Sequence, residues 1–224
     1  MEKLRRRLVV EGKDDEHVIL HFTKVRGLNA DRKVEVKPPE TAEGFPAVLD
    51  RIGVEVRSSG LEAVGFVLDA DIKVADRWRA IRDRLKGAGY VDVPEFPEKG
   101  GLVLDACAEK GLVRVGVWLM PDNRSPGQLE DFVGSLVSEG DRTFVRAQLA
   151  VAGIPKEERL FPEARTSKAI LHTWLAWQEE PGKPMGTAIT KRYLSTQGPV
   201  ADAFAEWFKR CFGKFDSNSG STPL

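Results

Sequence analysis

The sequence predicts an α/β protein: a mainly parallel sheet with helices on both faces, followed by a helical extension. Three observations carry this expectation. Short apolar runs alternate with stretches of helical period, in the order strand, helix, strand, helix, strand, helix, strand, which a parallel sheet with crossover helices requires. The run AVGFVL at residues 63–68 is apolar without a break, as a central strand buried on both faces should be. Three of the runs also end at acids, namely Glu11, Asp69 with Asp71, and Asp122.

LRRRLVVEG reads as a first strand that stops at Gly12. Asp14 or Asp15 is then placed to cap a helix over residues 15–25, with Val18, Phe22 and Val25 on one stripe. Residues 32–37, RKVEVK, alternate like a strand and stop at Pro38 and Pro39. A helix is expected over 45–56, and after the strand at 63–68 another over 72–86, burying Val74, Trp78, Ile81 and Leu85. Residues 102–104 and 113–120 suggest two strands, joined as a hairpin that turns at 109–111. A short helix over 127–137 follows, then helices over 142–152, 166–179 and 200–212. Residues 1–140 are thus expected to form the α/β domain and 141–214 a helical extension packed on it through Trp174, Trp177 and Trp207. The tail 215–224 is small, polar and expected to be disordered.

Composition narrows the class. The 224 residues suit one large domain with its own core, and 42% are hydrophobic, near the globular norm. Thirty-four basic residues balance 34 acidic ones, so net charge gives no hint of nucleic acid and any basic surface must be local. Cys107 and Cys211 belong to no metal-type spacing and read as reduced thiols of a cytoplasmic protein. No apolar run approaches membrane-spanning length, and the basic start is too short in its apolar part for a signal peptide.

In a parallel sheet, ligands bind at the carboxyl ends of the strands, which is where Glu11, Asp69, Asp71 and Asp122 fall. Crowded carboxylates repel unless something positive lies between them. A hard divalent cation, bound through carboxylates and substrate phosphates, is an economical solution. The plain alternative is helix capping, since acids favour strand-to-helix junctions. Capping accounts for each acid singly better than for acids at every such strand end.

The stretch VVEGKDDEHV, followed by FVLDAD, resembles the Toprim domain of topoisomerases, bacterial primases, OLD-family nucleases and small stand-alone nucleases, over about residues 5–135. In the OLD-type pattern a second acid stands four residues after the first, the place of Asp15. VGVWLMPDN, LEDFV and SKAILHTWLAWQEEPGKPMG are similar to a family of small Toprim-like bacterial and archaeal proteins, over most of the chain. The resemblance implies that Glu11 acts as general acid or base or as a metal ligand. It implies that Asp69 and Asp71 hold Mg²⁺ or Mn²⁺, and that Asp15 and Asp122 serve a second ion. The implied activity is a metal-dependent nuclease or nicking enzyme that hydrolyses phosphodiester bonds of DNA or RNA in a defence or repair system. An ATPase partner is also implied, and a homodimer is a separate expectation that the resemblance does not carry. In OLD-type nucleases a downstream lysine stabilises developing charge, and Lys168 is the candidate here. With Tyr90 and Tyr193 its only tyrosines, and no zinc ribbon, the chain matches neither a complete topoisomerase nor a complete primase.

Other features have competing readings. Lys73, Arg77 and the rest of the basic residues on the helix after Asp71 read either as a solvated face or as a phosphate-tracking surface beside the acids, to which Arg124 and Arg5 to Arg7 could add. Glu130 and Asp131 stand in the first turn of a helix, where capping is the ordinary role and metal ligation the alternative. His17 and His21 have the spacing of a zinc pair but no third ligand with suitable spacing. EEPGKPMG, residues 179–186, reads as a turn-rich loop, and Trp174 and Trp177 as core residues. A non-catalytic nucleic-acid-binding scaffold acting with a partner is the main competing function, and a phosphoacceptor centred on Asp69 a weaker one.

Overall fold

The computed structural model describes residues 5–29, 33–40 and 42–213. Its five strands form one sheet in the order β2-β1-β3-β5-β4. The strands are β1 (Arg6–Val9), β2 (Val34–Lys37), β3 (Ala63–Asp69), β4 (Leu102–Leu104) and β5 (Arg114–Met120). All neighbours pair in parallel except β4, which runs antiparallel to β5. The chain is therefore the α/β protein the sequence predicts, with a mostly parallel sheet consistent with a Toprim-like arrangement. Strands β1, β3 and β5 lie side by side, so their carboxyl ends share one rim.

Among the described residues there are eight α-helices, all but α7 where the sequence places one: α1 (Lys13–Val25), α2 (Phe45–Glu55), α3 (Val74–Ala88), α4 (Leu129–Gly134), α5 (Arg142–Ala152), α6 (Thr166–Ala176), α7 (Met185–Thr190) and α8 (Pro199–Phe212). They divide between the two faces of the sheet. Helices α2 and α3 place Val48, Ile52, Trp78, Ile81 and Leu85 against Val64, Phe66 and Leu68 of β3 and Val117 of β5. Helices α1, α4, α6, α7 and α8 enclose the opposite face with Val67 and Trp118. This split comes from the period of two in a strand, which sends successive β3 side chains to opposite layers.

Gly65 and Gly116 are register partners on β3 and β5. A Cβ at Gly65 would stand 2.7 Å from Phe212, and one at Gly116 would stand 2.5 Å from Cys211 Sγ. Two bare positions side by side thus make the seat on which α8 lies, burying Phe204, Trp207, Phe208 and Cys211. Trp207 also donates from Nε1 to the carbonyl of Leu102, 3.0 Å away, tying α8 to β4.

Several local expectations change. EEPGKPMG is not simply a loop: Pro184 precedes α7, whose Met185, Ala188 and Ile189 are buried. Gly186 meets α1 so closely that a Cβ there would lie 2.6 Å from the carbonyl oxygen of His17. The histidines His17 and His21 stack edge to face against each other beside α7, and His21 Nδ1 meets Thr190 Oγ1. Val25 is 44% exposed, because Ile19 fills the stripe instead, and Trp177 is 48% exposed because α6 ends at Ala176 and the next residue turns outward. Arg5 to Arg7 stand at the start of β1, the rim opposite the acids. Arg5 and Arg6 pair with Glu62, and Arg7 pairs with Glu35 and Glu55. The expected start of β2 at Arg32 and the expected disordered tail, 215–224, lie outside the described residues.

Gly116→Val should crowd Cys211 and lift α8 from the sheet. The expected loss is about 1–3 kcal/mol, typical of overpacking, measured by urea denaturation. An unchanged midpoint would contradict the close seating of α8.

Candidate functional site

The rim is assembled by backbone amides that face acids from neighbouring elements. β1 ends at Val9, and Glu11 follows in the turn to α1. Its Oε1 accepts a hydrogen bond of 2.8 Å from the amide of Asp69, which fastens the end of β1 to the end of β3. Asp69 Oδ1 in turn accepts from the amide of Leu129, the first residue of α4, at 2.9 Å. A chain of two bonds therefore links β1, β3 and the start of α4.

Asp15 and Glu130 complete the group. The N-cap of α1 is Gly12, so neither Asp14 nor Asp15 caps it in the forward sense. Asp15 sits in the first turn and folds back, its Oδ2 accepting from the Gly12 amide at 3.1 Å. A Cβ at Gly12 would make only ordinary contact with the carboxylates of Glu43 and Asp15, at 3.5 and 3.6 Å. The other oxygen of Asp15, Oδ1, is buried without a hydrogen-bond partner, and the residue is only 7% exposed. In α4 the adjacent acids divide their roles. Asp131 folds back as Asp15 does, accepting from the amide of the N-cap Gln128 at 2.8 Å and from the Ser167 hydroxyl. Glu130 is 5% exposed and takes a 2.7 Å bond from Lys168 Nζ. Lys168 also lies 3.9 Å from Asp14. Its bond to Glu130 is the main reason its ammonium is held above its ordinary pKa.

The electrostatics follow from packing four carboxylates this closely. Burial raises the pKa of Asp15, and repulsion from Glu11 and Glu130 adds to it, pushing it up to about 7. Burial and repulsion from Asp15, Glu11 and Glu130 push Asp69 up to about 8. Burial raises Glu11 as well, against the amides of Asp69 and Phe45 and the charge of Arg77. Glu11 and Asp69 keep part of their surface open, so a ligand can reach the group. Among the described residues, Lys168 is the single side-chain cation bonded to any of the four. Also among the described residues, no three acidic, histidine or cysteine side chains already stand in a metal-ligating arrangement. Glu11, Asp15 and Asp69 instead each turn an oxygen to an amide.

The other sequence candidates sit around this group rather than in it. Asp71 lies two residues beyond Asp69 with φ 51°, a left-handed conformation that Asp tolerates better than most residues. It exchanges two backbone hydrogen bonds with Gly127, at 2.9 and 2.8 Å. Its carboxylate pairs with Arg77 and accepts from Gln128 Nε2 at 3.3 Å. Asp122 turns into its own loop: Oδ1 accepts the amides of Arg124 and Ser125 at 2.9 and 2.7 Å, and Oδ2 the Ser125 hydroxyl at 2.9 Å. Partial burial would raise its pKa, but these bonds outweigh it and hold the carboxyl low. Lys73 and Arg77 share an open pocket of about 530 Å³ with Phe45, Asp71 and Ile72. The Arg77 guanidinium lies 3.9 Å above the Phe45 ring. Arg124 is exposed. The participation of Phe45 and the bond from Lys168 to Glu130 were invisible to sequence reasoning. An acid next to a capping acid was the signal available for Glu130.

Fold and rim together define an α/β protein in which the carboxyl edge of a mainly parallel sheet gathers buried acids around one lysine. Residues 5–213 match the family described as "Protein of unknown function (DUF3226)", and the chain belongs to that family. No curated protein matches it. Among solved structures it is similar to the C-terminal region of the Xanthomonas campestris pv. campestris OLD protein, at 20% identity and a TM-score of 0.36, over 92% of this chain and 87% of that one.

The raised carboxyls make a pH prediction. Above pH 3.8 the unfolded chain releases protons that folded Asp15 and Asp69 keep until about pH 7 and 8. Their stabilisation is therefore full below pH 3.8 and lost as pH rises through about 7 and 8. Metal-free melting temperature should fall across that window. Asp69→Asn, which keeps an oxygen for the Leu129 amide, should flatten the fall and raise stability at pH 8.5. A variant as pH-sensitive as the parent would show that Asp69 does not keep its proton to about pH 8.

Proposed function

We propose that the protein is a divalent-metal-dependent phosphodiesterase acting on nucleic acid, with Mg²⁺ or Mn²⁺ held by Glu11, Asp15 and Asp69. The observation that carries this reading is the buried, unpartnered Oδ1 of Asp15 within a group of four carboxylates that bonds a single lysine. Capping explains one oxygen of Asp15 and one of Asp69 but leaves this one unused. An all-oxygen donor set of this charge suits a hard cation. The bound ion would supply Lewis-acid polarisation of a phosphate and a lowered pKa for water. The ordered pair VVEGKDDEHV and FVLDAD supports the Toprim-type reading.

Each protein group then has a task. Burial raises the pKa of Glu11 while part of its surface stays open, as a proton donor or acceptor at a ligand site requires. Glu130 is a positioning residue: its bond from Lys168 fixes the ammonium at the rim. The Lys168 ammonium, firmly protonated, would offset negative charge developing on a phosphate. Lys73 and Arg77 border the adjoining pocket and would hold a backbone phosphate. Arg124, Asp71 and Asp122 are assigned to the surrounding loops, Asp71 through its pairing with Arg77.

A second reading keeps the nucleic acid and removes the chemistry. Asp15 and Asp69 each bond a backbone amide, as caps in a non-catalytic scaffold would. Such a scaffold would act in the cytoplasm with an ATPase partner or as a homodimer in a defence system.

Incubation of plasmid and of structured RNA with and without Mn²⁺ separates the two. Metal-dependent cleavage is expected. Glu11→Gln should lower it by about 10²–10⁴-fold, the usual contribution of a positioned acid or base. Asp69→Asn should abolish it, together with the rise in melting temperature that metal produces. Cleavage that survives EDTA, or an unchanged Asp69→Asn rate, would reject the enzyme.

A further inference from the structure

A second charged feature lies away from the acids, where α6 ends and α5 begins. Among the described residues, Trp78, Trp118, Trp174 and Trp207 are 2% exposed or less, while Trp177 is 48% exposed. An open pocket of about 450 Å³ beside it is lined by Trp177, Arg142, Thr143 and Arg146. Arg142 and Arg146 stand one helical turn apart on α5, a spacing at which like charges repel. Other arginines have acid partners, as Arg7 has Glu55, Arg51 has Glu55 and Arg84 has Asp50. Among the described residues, Arg142 and Arg146 make no ion pair and no side-chain hydrogen bond. The acid next to them in sequence, Asp141, is engaged as the cap of α5, accepting from the Phe144 amide at 2.8 Å. Two unneutralised guanidinium groups therefore flank an open indole, an arrangement that costs stability until an anion arrives.

We propose that this patch is a platform for single-stranded nucleic acid. The indole face takes an unpaired base, and Arg142, Arg146 and the Thr143 hydroxyl take the flanking phosphates. Guanidinium forks match phosphate oxygens, and stacking on an aromatic ring accepts any base. A duplex keeps its base faces inside the stack and offers the ring nothing. Helix α6 connects the patch to the acid rim, with Lys168 in its first turn and Trp177 just past its end. Nine residues at helical rise span about 13 Å, or about four nucleotide steps at ~3.4 Å per step. A strand seated on Trp177 thus reaches Lys168 within a few nucleotides. The inference rests on the reading that the acids act on nucleic acid, and narrows the substrate to single strands or flaps.

The test uses the full chain carrying Asp69→Asn, in EDTA, so that binding is read without cleavage. Oligo(dT), a blunt duplex and dTMP are titrated while tryptophan emission and anisotropy are followed. Oligo(dT) is expected to quench emission, with duplex and dTMP binding more weakly. Trp177→Ala should remove the quench and weaken oligo(dT) binding about 5- to 150-fold, the worth of one base stack. Arg142→Gln and Arg146→Gln should each lower the salt dependence of binding by about one phosphate contact. All three positions are on the surface, and circular dichroism checks that the variants fold. Equal binding of duplex, binding of dTMP as tight as the strand, or unchanged affinity in Trp177→Ala would overturn the platform. Quenching that appears with protein concentration alone would also overturn it, in favour of self-association. Strand binding at Trp177 without metal-dependent cleavage in the parent protein would uphold the platform and reject the nuclease. Cleavage abolished by Asp69→Asn with no role for Trp177 would do the reverse.

Discussion

The constraint on which the rest of the structure depends is the crowding of Glu11, Asp15, Asp69 and Glu130 at the carboxyl edge of β1 and β3. Four carboxylates with one bonded lysine repel each other, and partial removal from water sharpens the repulsion. The fold contains this cost with fixed donors. The amides of Gly12, Asp69 and Leu129 each face one of these acids, and Lys168 faces a fourth. Burial first, and repulsion among the acids second, raises the pKa of Asp15 and Asp69. Asp15 Oδ1 is buried with no hydrogen-bond partner.

Keeping such a group together requires rigid neighbours. β3 is buried on both faces along most of its length and pairs with β1 and β5. Helices α1 and α4 start at the rim, so their first turns carry Asp15 and Glu130 into it. The C-terminal helices take part directly. Helix α6 supplies Lys168, α7 holds α1 in place through Gly186, and α8 covers the sheet over Gly65 and Gly116. The residues after about 140 therefore complete the rim as well as cover the sheet.

Positive charge is distributed in three unlike settings. Arg7, held between Glu35 and Glu55 on the far rim, is structural. Arg77 pairs with Asp71 and lies over Phe45 beside the acids, close enough to lower the pKa of Glu11. Arg142 and Arg146 stand unneutralised beside Trp177. A net charge of zero therefore hides an uneven surface, and only partners in space tell the three settings apart.

Local signals were enough to read most elements from the sequence. An unbroken AVGFVL run marks a buried parallel strand, the spacing of Trp78, Ile81 and Leu85 marks a helix face, and acids after three strands mark one rim, because period and strand polarity are properties of short segments. The closeness of Glu11 to Asp69 follows from two parallel neighbouring strands ending together. Other features depended on long-range packing. Glu130 and Asp131 are adjacent carboxylates in one helical turn; Asp131 turns back to the Gln128 amide of its own turn, and only the approach of α6 gives Glu130 its partner Lys168. Asp71 has the spacing of a ligand beside Asp69, but its left-handed backbone and its pairing with Arg77 are set by the fold. EEPGKPMG looks like a loop until α1 offers a surface against which α7 can bury Met185 and Ile189. A side chain's period is written in its own segment, whereas its partner is chosen by whichever distant segment the fold brings within a few ångströms.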